Sequence, residues 1–505
     1  MVPKSPYRAE KAPDPATVVA PAGRSLSDFI PPHPPRFANP PATWRRILLG
    51  RRNFLEMWED EAFDYEFSAG RLFMRKVFVC NSPDAVQFAF SLKNASFERK
   101  SAQMRYALQP LIGDGLFISD GDTWRKRRRI VAPIVHVSRL SEFAPVMVET
   151  AVEARDRWAR LQPPSVDVLA EMAHLTAEII CRTIFGRQLG REHAHEIVDG
   201  FSDYQRVINQ FDLVSLLGLP DWLPRWYGPA VRRSVTRIHA VLDGIIESYR
   251  SRERADEVSV IGRLLDARDV DTGEPLNPEA VRNEAAVLFM AGHETTANTL
   301  AWTWYLVSQA PEVEARLHAE LDSVLGGRLP TVTDLPHLSY TRAVLEETLR
   351  LYPPVPILPR EALQDETYQG TRIPKGSLVL VVPWLLHRHR KLWDKPDHFI
   401  PDRFMPGNPG APSKFAYVPF SIGPRICAGM SFGQQEAILC LATLAQSFRL
   451  RLEAGREIKP VCRLTLRPEG GLQMRIEPRE ARELHEPRAA AAQDGLRTGC
   501  PLGHG

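Results

Sequence analysis

Residues Phe420 to Glu436 read FSIGPRICAGMSFGQQE, and they set one cysteine, Cys427, between two glycines just ahead of a helix-like run. A disulfide partner, a nucleophile, a metal ligand and a packed core residue are all open to a lone cysteine so placed. Gly423 and Gly429 permit a tight loop whose backbone another body can approach closely. Pro424 stiffens that loop, and Arg425 sets a cation two residues before the sulfur. A loop amide aimed at the sulfur, with the N-terminus of the following helix behind it, favours thiolate over thiol.

Composition narrows the choice. The chain has 505 residues, 44% hydrophobic and 25% charged, as soluble globular proteins have. Its 64 basic residues against 61 acidic leave a net charge of +3, so no global field marks it for nucleic acid. Cys80, Cys181, Cys427, Cys440, Cys462 and Cys500 are scattered without a pairing motif. That usage implies a reducing, cytoplasmic setting rather than a disulfide framework. No CxxC or HxxxH cluster suggests structural zinc. The N-terminus has no apolar h-region. The longest apolar run, Leu378 to Leu386, contains a proline and falls well short of the about 20 residues of a membrane-spanning helix. No transmembrane segment is expected.

Residues 1–45 are proline-rich and predict an extended lead-in. Residues 479–505 are small and polar and predict a flexible tail. Between them, 46–478 shows no linker and no repeat, so one large domain is expected. Apolar residues three and four apart predict helices over 138–161 and 311–325. Strand-like runs lie at 71–80, 377–386 and 463–476, the last with a turn at Glu469-Gly470-Gly471 that predicts a hairpin. The fold class is therefore mainly α with small β-sheets (α+β).

With no cysteine or histidine neighbour to share a zinc ion, one axial bond to a haem iron suits the Cys427 thiolate best. The pattern Phe420-x-x-Gly423-x-Arg425-x-Cys427-x-Gly429 resembles the haem-binding loop of the cytochrome P450 family, the haem-thiolate monooxygenases, soluble bacterial-type. The resemblance extends from about residue 45 to 478, and the motifs that carry it follow in the family's order. Departures are few: His389-Arg390 stands where Asp-Pro is common, and "APIV" follows the basic helix where a phenylalanine is usual.

Ala286 to Trp302, AVLFMAGHETTANTLAW, reads as a long apolar helix broken by polar residues. Val287, Ala291 and Thr295 share a face, with Met290 and Glu294 beside them. A mid-helix Thr295 bonds back to the Ala291 carbonyl, Gly292 leaves room for a small ligand, and a buried Glu294 is costly without a task. Ala291 to Thr296 is similar to the family's oxygen-activation motif, which implies that Thr295 and Glu294 hydrogen-bond dioxygen and relay protons. His293 falls at the family's variable position and is expected to be non-catalytic.

Glu347 and Arg350 share a helix face that must end near Tyr352, before two prolines. By resemblance they form a buried network with Arg403 of Pro401-Asp402-Arg403-Phe404 that holds the thiolate loop, and Arg360 contacts a haem propionate. Five basic residues, Arg125 to Arg129, follow Trp124. Trp124-x-x-x-Arg128 resembles the propionate-binding helix, and Lys126 and Arg127 are expected to point outward as a docking surface for a separate electron donor, a ferredoxin or flavodoxin/reductase.

The resemblance implies a triangular helix-rich prism of one domain, monomeric, with haem b as cofactor. Its implied activity inserts one atom of dioxygen into a hydrophobic small molecule, by hydroxylation or epoxidation of a fatty acid, terpenoid or steroid. The implied pocket draws on 104–117, Val287, Met290, Ala291, Val355, Ile357, Leu358 and the hairpin tip at Leu472. Phe211 to Val231 suits either a mobile entrance lid or a plain helix–loop–helix core. Two alternatives are a peroxide-driven peroxygenase and a non-catalytic haem sensor or carrier; the Glu294-Thr295 pair argues against both.

Overall fold

The computed structural model describes residues 29–479, except 40, 73, 188–195, 202, 205, 206, 209–225, 252–258, 270, 411 and 463. Counting helices of seven residues or more, the described chain forms α1 (Thr43–Arg52), α2 (Ala102–Ile112), α3 (Gly121–Ile134), α4 (Leu140–Trp158), α5 (Val168–Phe185), α6 (Pro229–Ser251), α7 (Val260–Asp266), α8 (Pro278–Gln309), α9 (Pro311–Leu325), α10 (Ser339–Leu351) and α11 (Met430–Ala445). The mainly α reading with small sheets holds.

The axis of the fold is α8. At 1.5 Å per residue its 32 residues run about 48 Å. Pro278 opens it at the first turn and the Asn277 side chain accepts the Ala280 amide at 2.7 Å, a standard start. Most of its residues are buried on all sides, because α2, α5, α6, α10 and α11 pack around it. Thr295, Thr299 and Thr303 donate to the carbonyls four residues earlier at 2.7, 2.9 and 2.7 Å, so the helix absorbs their hydroxyls internally. The periodicity at 311–325 corresponds to α9, which ends on Gly326 in the left-handed region.

The larger sheet has five strands: β1 (Phe67–Leu72), β2 (Arg75–Cys80), β8 (Leu378–Val381), β5 (Leu358–Glu361) and β3 (Arg99–Lys100), in that order. Only β2 and β8 run parallel. The strand-like run at 71–80 thus contains a hairpin turn, and that at 377–386 gives β8 and then a helical turn from Pro383.

The expected hairpin over 463–476 does not form. Strand β11 (Leu466–Pro468) pairs with β10 (Pro460–Cys462), whereas β12 (Gln473–Pro478) joins β4 (Ser165–Asp167) and β9 (Phe448–Leu452). Gly470 and Gly471 both take positive φ, 74° and 89°, and send the two arms to different sheets. Residues 1–28 of the lead-in, the tail beyond 479 and most of 211–231 lie outside the described residues; Pro229–Val231 open α6. One described stretch, Gly121–Trp158, has the length and apolar composition to cross a membrane. It is two helices, α3 and α4, parted by a turn at Val137–Arg139 and half buried against the rest of the protein.

Candidate active site

The cysteine loop is built by a short 3-10 turn, Gly423–Arg425, leading into α11. Gly423 has φ +75°, and a Cβ there would lie 1.9 Å from the Phe90 carbonyl oxygen, so only glycine fits. Gly429 is different: its φ is ordinary, and a Cβ would meet no protein atom within 4 Å. The Cys427 amide donates to the Phe420 carbonyl at 2.9 Å, and the Gly429 amide donates to the Cys427 sulfur. Burial raises the Cys427 thiol above its ordinary value, opposed by the Gly429 amide, Arg128 and Lys100. Its accessible surface faces an internal cavity rather than bulk water.

That cavity is bounded by the cysteine loop, the middle of α8, the start of α11, and the 116–117 and 354–359 segments. Trp124, Arg128, Val287, Ala291, Thr295, Val355, Leu358, Phe420, Arg425 and Cys427 all reach it, as do Met104, Leu116 and Phe117. Met290, Ile357 and Leu472 do not. Met290 lies off the 287–291–295 face, Ile357 packs into the core, and Leu472 is fully buried with its amide donated to Asp167 at 2.9 Å. Gly292 is on the wall, but its missing side chain accommodates Ile180 of α5, whose Cδ1 would be 2.9 Å from a Cβ. Helix packing takes the space that was expected to admit a ligand.

Thr295 donates to the Ala291 carbonyl as expected, leaving its oxygen free to accept toward the cavity. Glu294 is half-buried and off the cavity wall; its carboxylate accepts the Thr465 hydroxyl at 2.6 Å. His293 stacks on Phe289, and burial holds its imidazole below the ordinary value, in keeping with a packing role.

At one end of the cavity, cations crowd together. Lys100, Arg128 and Arg425 line it, and Arg360 lies just behind, fully enclosed. Burial, Arg360 and Arg425 together push the Lys100 amine well below its usual range, and burial with Arg425 brings Arg360 down to about 9. Arg360 and Arg425 both donate to the Glu98 carbonyl, at 3.0 and 2.8 Å. The nearby Glu98 carboxylate is engaged by the Gly121 amide and Arg125. A buried surplus of positive charge beside an apolar cavity suits an acidic, flat, apolar ligand.

Glu347, Arg350 and Arg403 meet as expected. Arg350 bonds Glu347 at two points of 2.7 Å, Arg403 approaches the same carboxylate at 3.4 Å, and the Ile400 amide donates to it at 2.8 Å. Arg350 also donates to the carbonyls of His387, Pro396 and His398. His387 in turn accepts the Val418 amide, tying the network to the chain that enters the cysteine loop.

The expected docking face is half overturned. Arg127 is 7% exposed and points inward, Nη2 at 3.0 Å from Asp114 and Nε at 3.5 Å from Glu284. Its position, three residues after Trp124, already puts it within about 60° of the inward face. Lys126 does face outward, at 3.5 Å from Asp269.

Three residues escaped the sequence reading: Lys100, Glu284 and Glu436. Glu436 is fully buried on the cavity wall, with neither oxygen in a hydrogen bond of good geometry, and burial pushes its carboxyl well above the usual range despite the nearby Thr296 hydroxyl. Its signal was a lone acid in the apolar run EAILCLATLA. Glu284 was the same kind of signal on α8.

Without a bound group the Cys427 thiol is not favoured as thiolate, contrary to the expectation from the loop amide and helix N-terminus. A single cysteine facing an apolar cavity with a cationic end is the arrangement of a haem-thiolate protein. A family model described as Cytochrome P450 matches residues 51–476. Cyclooctatin synthase of Streptomyces melanosporofaciens is 32% identical over 488 residues, covering 94% of this chain and 99% of that one. Pentalenene oxygenase of Streptomyces avermitilis is 30% identical over 73% of this chain and 81% of its own. Among solved structures, the cytochrome P450DA heme domain superposes with a TM-score of 0.72 at 28% identity, covering 82% of this chain and 90% of that one. The chain belongs to the cytochrome P450 family and is a haem-containing monooxygenase.

Proposed function

We propose that this monooxygenase hydroxylates or epoxidises a hydrophobic small molecule, a terpenoid before a fatty acid or steroid, with electrons from a separate ferredoxin or flavodoxin/reductase. The carrying observation is the cavity itself: Cys427 faces a wall of Leu116, Phe117, Val287, Ala291, Val355 and Leu358. The terpenoid preference comes from relatives named pentalenene oxygenase and cyclooctat-9-en-7-ol 5-monooxygenase.

Cys427 would ligate the iron of a haem b, which when bound would supply the oxygen chemistry. Trp124, Arg128, Arg360 and Arg425, with Lys100 added, would hold its propionates; Phe420, Gly423 and Gly429 would shape the loop that seats it, and Ala291 would leave it room on the α8 side. Thr295 presents a hydroxyl that accepts and passes a proton, and Glu294 supplies protons from behind it. Glu347, Arg350 and Arg403 hold the loop in place. The electron donor docks near Lys126, without Arg127. The catalytic domain spans 46–478, with terminal extensions, and works as a cytoplasmic monomer.

The test is the carbon monoxide difference spectrum of the reduced protein, wild type and Cys427→Ala, followed by titration of terpene hydrocarbons for a shift in the Soret band. A strongly red-shifted Soret band lost in the variant supports thiolate ligation. A band at the position of histidine-ligated haem, indifferent to the substitution, overturns the assignment. A steroid or fatty acid that shifts the band where terpenes do not overturns the substrate class.

A further inference from the structure

We propose that Glu284 is the positioning residue for the cavity wall: from α8 it holds the backbone of the 113–119 loop, and so sets where Leu116 and Phe117 meet a ligand. Calling that wall a substrate wall rests on the function proposed above; the contact itself does not.

Glu284 lies two turns before Ala291 on α8 and is completely buried. The Leu116 amide donates to both of its carboxylate oxygens, at 3.0 and 3.2 Å. Arg127 of α3 stands between two acids, 3.5 Å from Glu284 and 3.0 Å from Asp114 of the loop. Asn283, the neighbour of Glu284, donates to the same Asp114 at 3.3 Å. The loop is thus clamped to α8 through Leu116–Glu284 and Asp114–Asn283, with Arg127 of α3 bridging the two acids.

The approach is close enough to demand small residues. A Cβ on Gly115 would lie 2.6 Å from Val287 Cγ2, and one on Gly113 would lie 2.2 Å from the Asn283 amide nitrogen. Gly113 also takes φ +51°, a second reason for glycine there. Both glycines let loop and helix touch.

From the other side, Arg425 of the cysteine loop donates to the carbonyls of Leu116, Phe117 and Ser119, at 3.4, 3.4 and 2.8 Å. The loop backbone is therefore held by its amide from α8 and by its carbonyls from the cysteine loop. Removing Arg425 would disturb the iron site as well. Glu284 makes its polar contacts to the Leu116 amide and to Arg127 and none to the cysteine loop, which makes it the residue that tunes ligand fit without touching Cys427.

The experiment uses the haem-loaded full chain, as wild type, Glu284→Gln and Glu284→Asp. Amide hydrogen exchange is followed over residues 113–118, and 4-phenylimidazole (compact) and clotrimazole (bulky) are titrated by Soret shift. In Glu284→Gln, which leaves Arg127 with Asp114 as its one carboxylate among these contacts, exchange at Leu116 rises about tenfold. The compact azole, which needs an ordered wall, weakens by about tenfold and the bulky one by less than twofold. Glu284→Asp falls between. The carbon monoxide band stays where it is in wild type. If Glu284→Gln does not fold, Gly115→Ala pushes the same loop off Val287 and must reproduce the exchange and azole pattern. Unchanged exchange at 113–118, or equal weakening of both azoles, overturns the proposal. The exchange result is independent of haem ligation, so its failure is separable from a failed carbon monoxide spectrum.

Discussion

Arg350 and Glu347 meet through two parallel bonds, Nε to Oε2 and Nη2 to Oε1, each 2.7 Å, where neither side chain has any exposed surface. A pair so enclosed is worth little as an isolated Coulombic gain, because removing both charges from water costs as much as their attraction returns. Its value lies in what else the pair holds: three carbonyls on Arg350, and the Ile400 amide and Arg403 on Glu347.

Breaking this network on one side strands a buried charge. Glu347→Gln and Arg350→Lys should each lose about 3–5 kcal/mol in urea denaturation. Lysine does not rescue, since an ammonium cannot span the carboxylate and three carbonyls as the guanidinium fork does. A loss below about 1 kcal/mol in either variant would mean that the network is not structural.

The two glycines flanking Cys427 should behave differently. Gly423→Ala forces a Cβ into the Phe90 carbonyl at a positive φ and should cost about 2 kcal/mol or more, with haem lost on gel filtration. Gly429→Ala meets no protein atom and should cost the apoprotein less than about 0.5 kcal/mol. Equal losses would contradict this division.

Lys100→Met should act with opposite signs on the two forms of the protein. It relieves a desolvated cation crowded by Arg360 and Arg425, so the apoprotein should be at least as stable as wild type. Haem should dissociate about tenfold faster, because a cation proposed to hold a propionate is gone. Transfer of haem to apomyoglobin measures the rate.

Glu436 gives a pH signature. Burial raises its native carboxyl well above the 4.5 of an ordinary glutamate. Above that pH the unfolded chain releases a proton that the native state keeps, so this group makes stability fall as pH rises, until the native carboxyl itself ionises. The slope is about 1.4 kcal/mol per pH unit. Glu436→Gln lacks the term, so its stability relative to wild type should improve as pH rises from 5.5 to 7.5, by at most about 2.7 kcal/mol. A constant difference would show that the carboxyl is ionised in the native protein.

The residues that local pattern could identify were those whose chemistry is written in spacing. Glycines at fixed offsets from Cys427, a threonine four residues after Ala291, and Glu347 with Arg350 three apart each state a geometry that helix or loop then imposes. Arg127 was legible in principle by the same arithmetic, three residues from Trp124, but a run of basic residues masks which one turns inward.

Other features were settled by partners distant in the chain. The turn at Gly470-Gly471 looks like a hairpin locally, yet Asp167, some 300 residues earlier, captures the Leu472 amide and draws the second arm into another sheet. Gly292 looks like room for a ligand until Ile180 fills it. Lys100, Glu284 and Glu436 look like ordinary charges until burial is known, because desolvation depends on every neighbour at once. By itself, then, the sequence determined the helix-rich class, the tight cysteine loop and the Glu347–Arg350 pair, all of which depend on short-range periodicity and backbone freedom. Only the tertiary structure decided which charges are buried, which side chains face the cavity and how its wall is held, because those depend on which distant segments come together.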